Sequence, residues 1–153
     1  GHSIPRFITN LTGISNDMVE DAPKQDVVIK NLNNFIDEED VIVGHNVRFD
    51  LSFLDHARSK VLGTPFANES LCTLLLARRA FASNPLPSYR LGNLAELLAI
   101  STEGAHRAKK DVEMTIAVQQ ELFKRLEEIN LRKKNDILRL QRLPLRKAAS
   151  LFD

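Results

Sequence analysis

At 153 residues, 43% of them hydrophobic and 27% charged, the chain has the length and balance of one globular domain with a core of its own, which excludes a disordered polymer. Its 21 basic and 20 acidic residues leave a formal net charge of +1, so no global field marks a strongly basic nucleic-acid binder. The lone Cys72 excludes an internal disulfide and no apolar run approaches the roughly 20 residues that cross a bilayer, so a cytoplasmic protein without membrane contact is expected.

Residues 1–14 read as an extended entry segment, because Pro5 removes a backbone donor and Leu11-Thr12-Gly13-Ile14 joins β-branched residues to a glycine that permits a turn. Ser15 stands where it can cap a short helix over Asp17 to Glu20, which Pro23 closes. An amphipathic helix over about 25–37 presents Val28, Leu32, Phe35 and Ile36 on one face. After a turn, Val41-Ile42-Val43 is a short buried strand ending at Gly44. Helix resumes over about 48–61, with Leu51, Leu54 and Ala57 at helical spacing and Gly63 as its stop.

A second strand covers about 69–72 and runs into a helix from Thr73 to Ala82. The prolines of 83–88 make a loop, and Leu91, Leu94, Leu97 and Leu98 mark the next helix. The longest helix spans about 107–129 and turns Val112, Ile116, Leu122 and Leu126 inward. Residues 131–153 continue a helical pattern broken at Pro144, read as a C-terminal arm or linker behind a domain of residues 1–130.

Strands alternate with dominant helices, so the fold class is α/β. A difficulty follows, because two strands alone make a marginal sheet and Val41-Ile42-Val43 would present an unpaired apolar edge. A further strand is expected to lie there.

The chemistry-bearing residues fall in two groups. In Gly44-His45-Asn46-Val47-Arg48-Phe49-Asp50 an aspartate stands just past the mouth of a strand, where α/β folds place ligands, and Asn46 can donate to a sugar or a carboxylate. Asp50 could equally be a first-turn helix acid favoured by the macrodipole. In His106-Arg107-Ala108-Lys109-Lys110-Asp111 an imidazole able to take a proton from water precedes a carboxylate able to hold a hard cation. No Cys pair or His-x-x-x-His accompanies them, which disfavours zinc, and the Gly-rich loops and nucleophile elbows of other hydrolases are absent from the sequence.

Taken in order, these residues resemble the DEDDh 3′-to-5′ exonucleases, the ribonuclease-H-like family that includes the proofreading subunits of bacterial replicative polymerases. The resemblance is carried by Leu11-Thr12-Gly13-Ile14-Ser15, Gly44-His45-Asn46-x-x-Phe49-Asp50, Cys72-Thr73-Leu74 with Leu76-Ala77-Arg78, Tyr89-x-Leu91-x-x-Leu94 and His106-Arg107-Ala108-x-x-Asp111, and covers about residues 3–126. It implies a ribonuclease-H-like fold and phosphodiester hydrolysis with two Mg²⁺ or Mn²⁺ ions held by four carboxylates. On this resemblance Asp111 binds metal directly, Asp50 serves the metal cluster and His106 is the general base. His45, Asn46 and Phe49 lie along the terminal nucleotide, with Leu11, Thr12, Gly13 and Ile14 near its base or sugar.

The expected substrate is a single-stranded or frayed 3′ end of DNA, RNA being left open, with a polymerase as the possible partner. The family's first motif, an Asp-x-Glu on the first strand, should precede Ile4 and is not found; Asp111-Val112-Glu113 has the spelling but belongs to the last motif. Weak activity, or none, is therefore expected of these residues alone, unless an N-terminal segment or a second chain completes the sheet. A module that binds nucleic acid or a polymerase without cutting is the alternative.

Overall fold

The structure, a computed structural model, describes residues 3–103 and 108–153, without the side chain of Leu11. Contrary to expectation, the first residues are not extended, since Arg6–Thr12 forms helix α1. Pro5 stands just ahead of it, its carbonyl accepting from the amides of Ile8 and Thr9 at 2.9 and 3.2 Å, and Gly13 ends it in the left-handed region at φ 73°. A proline before and a glycine after are the ordinary brackets of a helix. Helix α2 (Asn16–Glu20) begins as expected, with Ser15 Oγ accepting the Met18 amide at 3.4 Å.

Helix α3 (Gln25–Phe35) packs on α4 (Val47–Leu62), but through a different face from the one the periodicity predicts. Ile29 is its buried residue, whereas Val28 is exposed and Phe35 is 82% exposed. The side turned toward α4 is held by Arg58, whose Nε and Nη2 donate to Asn33 Oδ1 at 3.0 and 2.8 Å while Nη1 donates to the carbonyls of Thr64 and Pro65. With apolar residues on more than one side of α3, the neighbouring helix decides which are covered.

Strands β1 (Val41–Gly44) and β2 (Glu69–Cys72) pair in parallel, Val41 opposite Glu69 and Gly44 opposite Cys72, with α4 as the crossover. This is the mixed, helix-rich α/β arrangement expected of a ribonuclease-H-like fold short of its first strands. β1 is less buried than its sequence predicts: Val43 is 36% exposed, and among the described residues β2 is its one strand neighbour. The other edge of β2 is occupied by a side chain. Gln141 Oε1 accepts the Cys72 amide and its Nε2 donates to the Ser70 carbonyl, both at 2.8 Å, filling the two places that a neighbouring strand would take.

Gln141 follows α8 (Lys134–Leu140), and α9 (Leu145–Ala149) begins after the predicted break at Pro144. Ile137, Leu138, Leu140 and Ala148 from these helices join one core with α5 (Thr73–Ala80), α6 (Leu91–Leu97) and α7 (Ala108–Glu128). Leu76, Leu94, Leu122, Leu126 and Leu140 are fully buried there, each worth on the order of 1.5–3 kcal/mol of apolar burial. Leu122 and Leu126 point inward as expected; Val112 and Ile116 do not, being 57% and 49% exposed. They face a cleft, where no described element covers them.

Candidate active site

That cleft, about 600 Å³, lies between β1, the start of α4 and the start of α7. Two carboxylates line it. Asp50 stands in the first turn of α4 and Asp111 in the first turn of α7, so both occupy positions where the helix macrodipole favours negative charge. Asp50 is exposed and Asp111 half-buried. Thr115 and Gln119, on the same face of α7 as Asp111, also line the cleft, and Thr115 Oγ1 donates to the Asp111 carbonyl at 2.8 Å. Val43, Leu51, Leu54, Val112 and Ile116 make the remaining wall apolar.

Asp50 reaches the cleft because the chain reverses tightly between β1 and α4. Asn46 adopts φ 66° and ψ 40°, a left-handed conformation that asparagine tolerates better than most residues. A Cβ on Gly44 would lie 3.0 Å from Val47 Cβ, so the bare glycine lets α4 fold back over the strand it has just left. The Asn46 side chain does not cap α4 and stays exposed.

His45 is fastened at both ring nitrogens. Nε2 lies 2.9 Å from the Tyr89 carbonyl, which can only accept, so Nε2 carries the proton and donates. In the neutral ring Nδ1 then accepts from the Thr73 hydroxyl, also at 2.9 Å. Burial lowers the pKa of this imidazole from its ordinary 6.5, while the hydrogen bond to Tyr89 opposes the shift. His45 thereby ties the end of β1 to the start of α5 and to the loop before α6.

Of the other candidates, Phe49 lines the carboxylate cleft, is 62% exposed and meets Phe53 edge-on with centroids 5.2 Å apart. Thr12, Gly13 and Ile14 do not line it; the Thr12 hydroxyl donates to the Ile8 carbonyl and accepts the Ile14 amide, at 2.8 and 3.2 Å. His106, the expected general base, lies outside the described residues, as does the Leu11 side chain. Two features escaped the sequence reading. Thr115 and Gln119 could have been found from their helical spacing to Asp111, whereas Arg78 and Arg90, which line an adjacent cleft of about 390 Å³ with Asn46 and Tyr89, are too far apart in sequence to be paired by pattern.

Carboxylate oxygens are hard donors of the kind Mg²⁺ and Mn²⁺ prefer. Among the described residues no group of three or more His, Cys, Asp or Glu side chains comes together, so Asp50 and Asp111 fit part of a metal shell and not a whole one.

Residues 1–119 match the RNase_T family model, described as Exonuclease. The chain belongs to the RNase_T exonuclease family. It is 37% identical over 129 residues to the DNA polymerase III subunit epsilon of Aquifex aeolicus, covering 84% of this chain and 61% of that protein. To the PolC-type DNA polymerase III of Caldanaerobacter subterraneus it is 35% identical over 134 residues, covering 88% of this chain and 9% of that one. To the 3′-5′ exonuclease DinG of Bacillus subtilis it is 34% identical over 127 residues, covering 83% and 13%. The chain thus spans less than two thirds of the length of each of these relatives, and the resemblance to polymerase proofreading exonucleases is borne out at the level of family. Among the described residues no helix is long and apolar enough to cross a membrane.

Proposed function

We propose that this chain hydrolyses the terminal phosphodiester at the 3′ end of single-stranded or frayed DNA. The observation that carries the reading is convergence: the first turns of two helices distant in sequence deliver Asp50 and Asp111 to one cleft, in a chain of exonuclease family. Two of the relatives above are DNA polymerase III proteins and the third is a 3′-5′ exonuclease, which favours DNA and this direction of cutting.

Asp111 and Asp50 would hold one part of a divalent-metal shell, for Mg²⁺ or Mn²⁺, which when bound would supply the charge that activates water and stabilises the departing 3′ oxygen. His106 takes the proton from the attacking water. Asn46 and Phe49 lie beside the terminal nucleotide, while His45, with both ring nitrogens engaged inside the chain, holds the strand–helix junction that presents them. The edge of β1 that no strand among the described residues pairs with, together with the apolar wall of the cleft, receives a further strand, from an N-terminal segment or a second chain, that brings the Asp-x-Glu carboxylates. A polymerase is the natural larger partner.

A second reading, a module that binds nucleic acid without cutting it, is favoured by the shortage of carboxylates among the described residues. One experiment separates the two. DNA and RNA single strands labelled at the 5′ end are incubated with Mg²⁺ or Mn²⁺ and either the chain alone or the chain with an Asp-x-Glu strand fused ahead of Gly1. The exonuclease reading expects a ladder shortening from the 3′ end with the fusion, lost by about 10²–10⁴-fold in His106→Ala. Binding without any ladder, under either metal and with either form, establishes the module instead.

A further inference from the structure

We propose that the cleft between α5 and the start of α6 is a phosphate subsite for a nucleic-acid strand, in which Arg78 and Arg90 hold the phosphodiester neighbouring the one that is cut. The proposal rests on the nuclease reading above and adds to it where the uncut part of the strand runs.

The two clefts divide the charge between them. Among their described lining residues, the larger carries Asp50 and Asp111 and no Arg or Lys, and the smaller carries two guanidinium groups and no carboxylate. A phosphodiester approaching two carboxylates is repelled unless cations offset them, and the second cleft supplies two guanidinium groups. The clefts share His45 and Leu91, so they open on the two sides of one wall. A strand crossing that wall leaves its 3′-terminal nucleotide with the carboxylates and its preceding phosphate with the arginines.

Neither arginine makes an ion pair within the described residues, which leaves both charges for a ligand. Arg78 stacks over the Tyr89 ring, 5.8 Å from its centroid, a contact that orients the guanidinium without neutralising it. Arg90 is set by its backbone, whose amide donates to Ser88 Oγ at 3.3 Å at the entrance to α6. The loop between them is fixed too. The Tyr89 hydroxyl accepts the Leu86 amide at 3.1 Å, and its carbonyl accepts from His45, the residue next to the turn that presents Asp50. Subsite and carboxylates are therefore parts of one braced unit, and a planar guanidinium pair matches phosphate oxygens better than ammonium groups do.

The test is binding of fluorescein-labelled oligothymidylates of increasing length in EDTA, where nothing is cut, with thymidine monophosphate as a separate ligand. In Arg78→Gln/Arg90→Gln, affinity for the longer oligomers falls on the order of tenfold at low salt, and the slope of log K against log salt flattens by roughly 0.7 per arginine. Lys60→Gln, an equal charge change at the far end of α4, leaves both unchanged. Arg78→Lys/Arg90→Lys restores the salt slope while recovering less of the affinity. If thymidine monophosphate loses the same factor as the oligomers, the cleft holds a free nucleotide and the strand assignment is overturned. An unaltered slope in the double Gln variant, or no binding by the parent chain, overturns the subsite altogether; the nuclease reading is judged apart from it, by hydrolysis that depends on Asp111.

Discussion

Gly44 and His45 do more for the site than their chemistry announces. A Cβ built on Gly44 lies 3.0 Å from Val47 Cβ and Cγ2 and 3.3 Å from its Cα, tighter than ordinary contact, so an added methyl group forces the first residue of α4 to give by a few tenths of an ångström. Gly44→Ala should therefore destabilise the fold by about 1–3 kcal/mol and displace Asp50, read as a lower melting temperature together with weaker nucleic-acid hydrolysis. His45 gives a pH dependence of known sign. Its folded-state pKa is depressed by burial, so the unfolded chain binds the proton more readily. The stability it contributes is present above 6.5, its ordinary value, and is lost as pH falls through the lowered folded value. Melting curves across that acidic window should show a steeper decline for the parent chain than for His45→Gln.

At the scale of elements, Gln141 gives β2 its second edge. Removing the amide in Gln141→Ala leaves the buried Cys72 amide and the Ser70 carbonyl without their partner, a loss of about 1–3 kcal/mol per orphaned group that chemical denaturation would measure. Gly92 offers the opposite case. It lies within α6, and a Cβ there meets nothing within 4 Å, so Gly92→Ala should raise stability by about 0.5–1 kcal/mol.

These elements also show what the sequence could and could not disclose. Gly63 and Pro144 mark helix boundaries where pattern places them, and both strands agree in bounds, because those signals are local to the backbone. Pro5 and Gly13 are equally local signals, yet taken singly they suggest a turn, and only as a pair do they frame α1. The outward positions of Val112, Ile116 and Phe35 could not be read from periodicity, since the same stripe faces a core or an open cleft according to what packs on it. Within the site, the motifs located Asp50 and Asp111, but nothing in the chain order reveals that Thr73 and Tyr89 would clasp His45, or that Arg78 and Arg90 would share a cleft.

The whole molecule has one finished side and one open side. Helices α5, α7, α8 and α9 enclose a continuous core, with Arg125 Nε donating to the Ala80 carbonyl at 2.8 Å between the Phe81 and Phe152 rings. Across β1 the exposed Val43, Phe49, Val112 and Ile116 border the carboxylate cleft, a patch of the kind that proteins cover with another element. Completion of the sheet and completion of the metal site are, on this account, one event at one edge. The measurement that bears on it most directly is metal-dependent shortening of 5′-labelled single-stranded DNA by the fusion carrying an Asp-x-Glu strand, compared with the same protein bearing Asp111→Asn or Asp50→Asn. The account predicts loss of the 3′-end ladder in both variants, with retained melting behaviour. A ladder that persists at parental rate in both would contradict it.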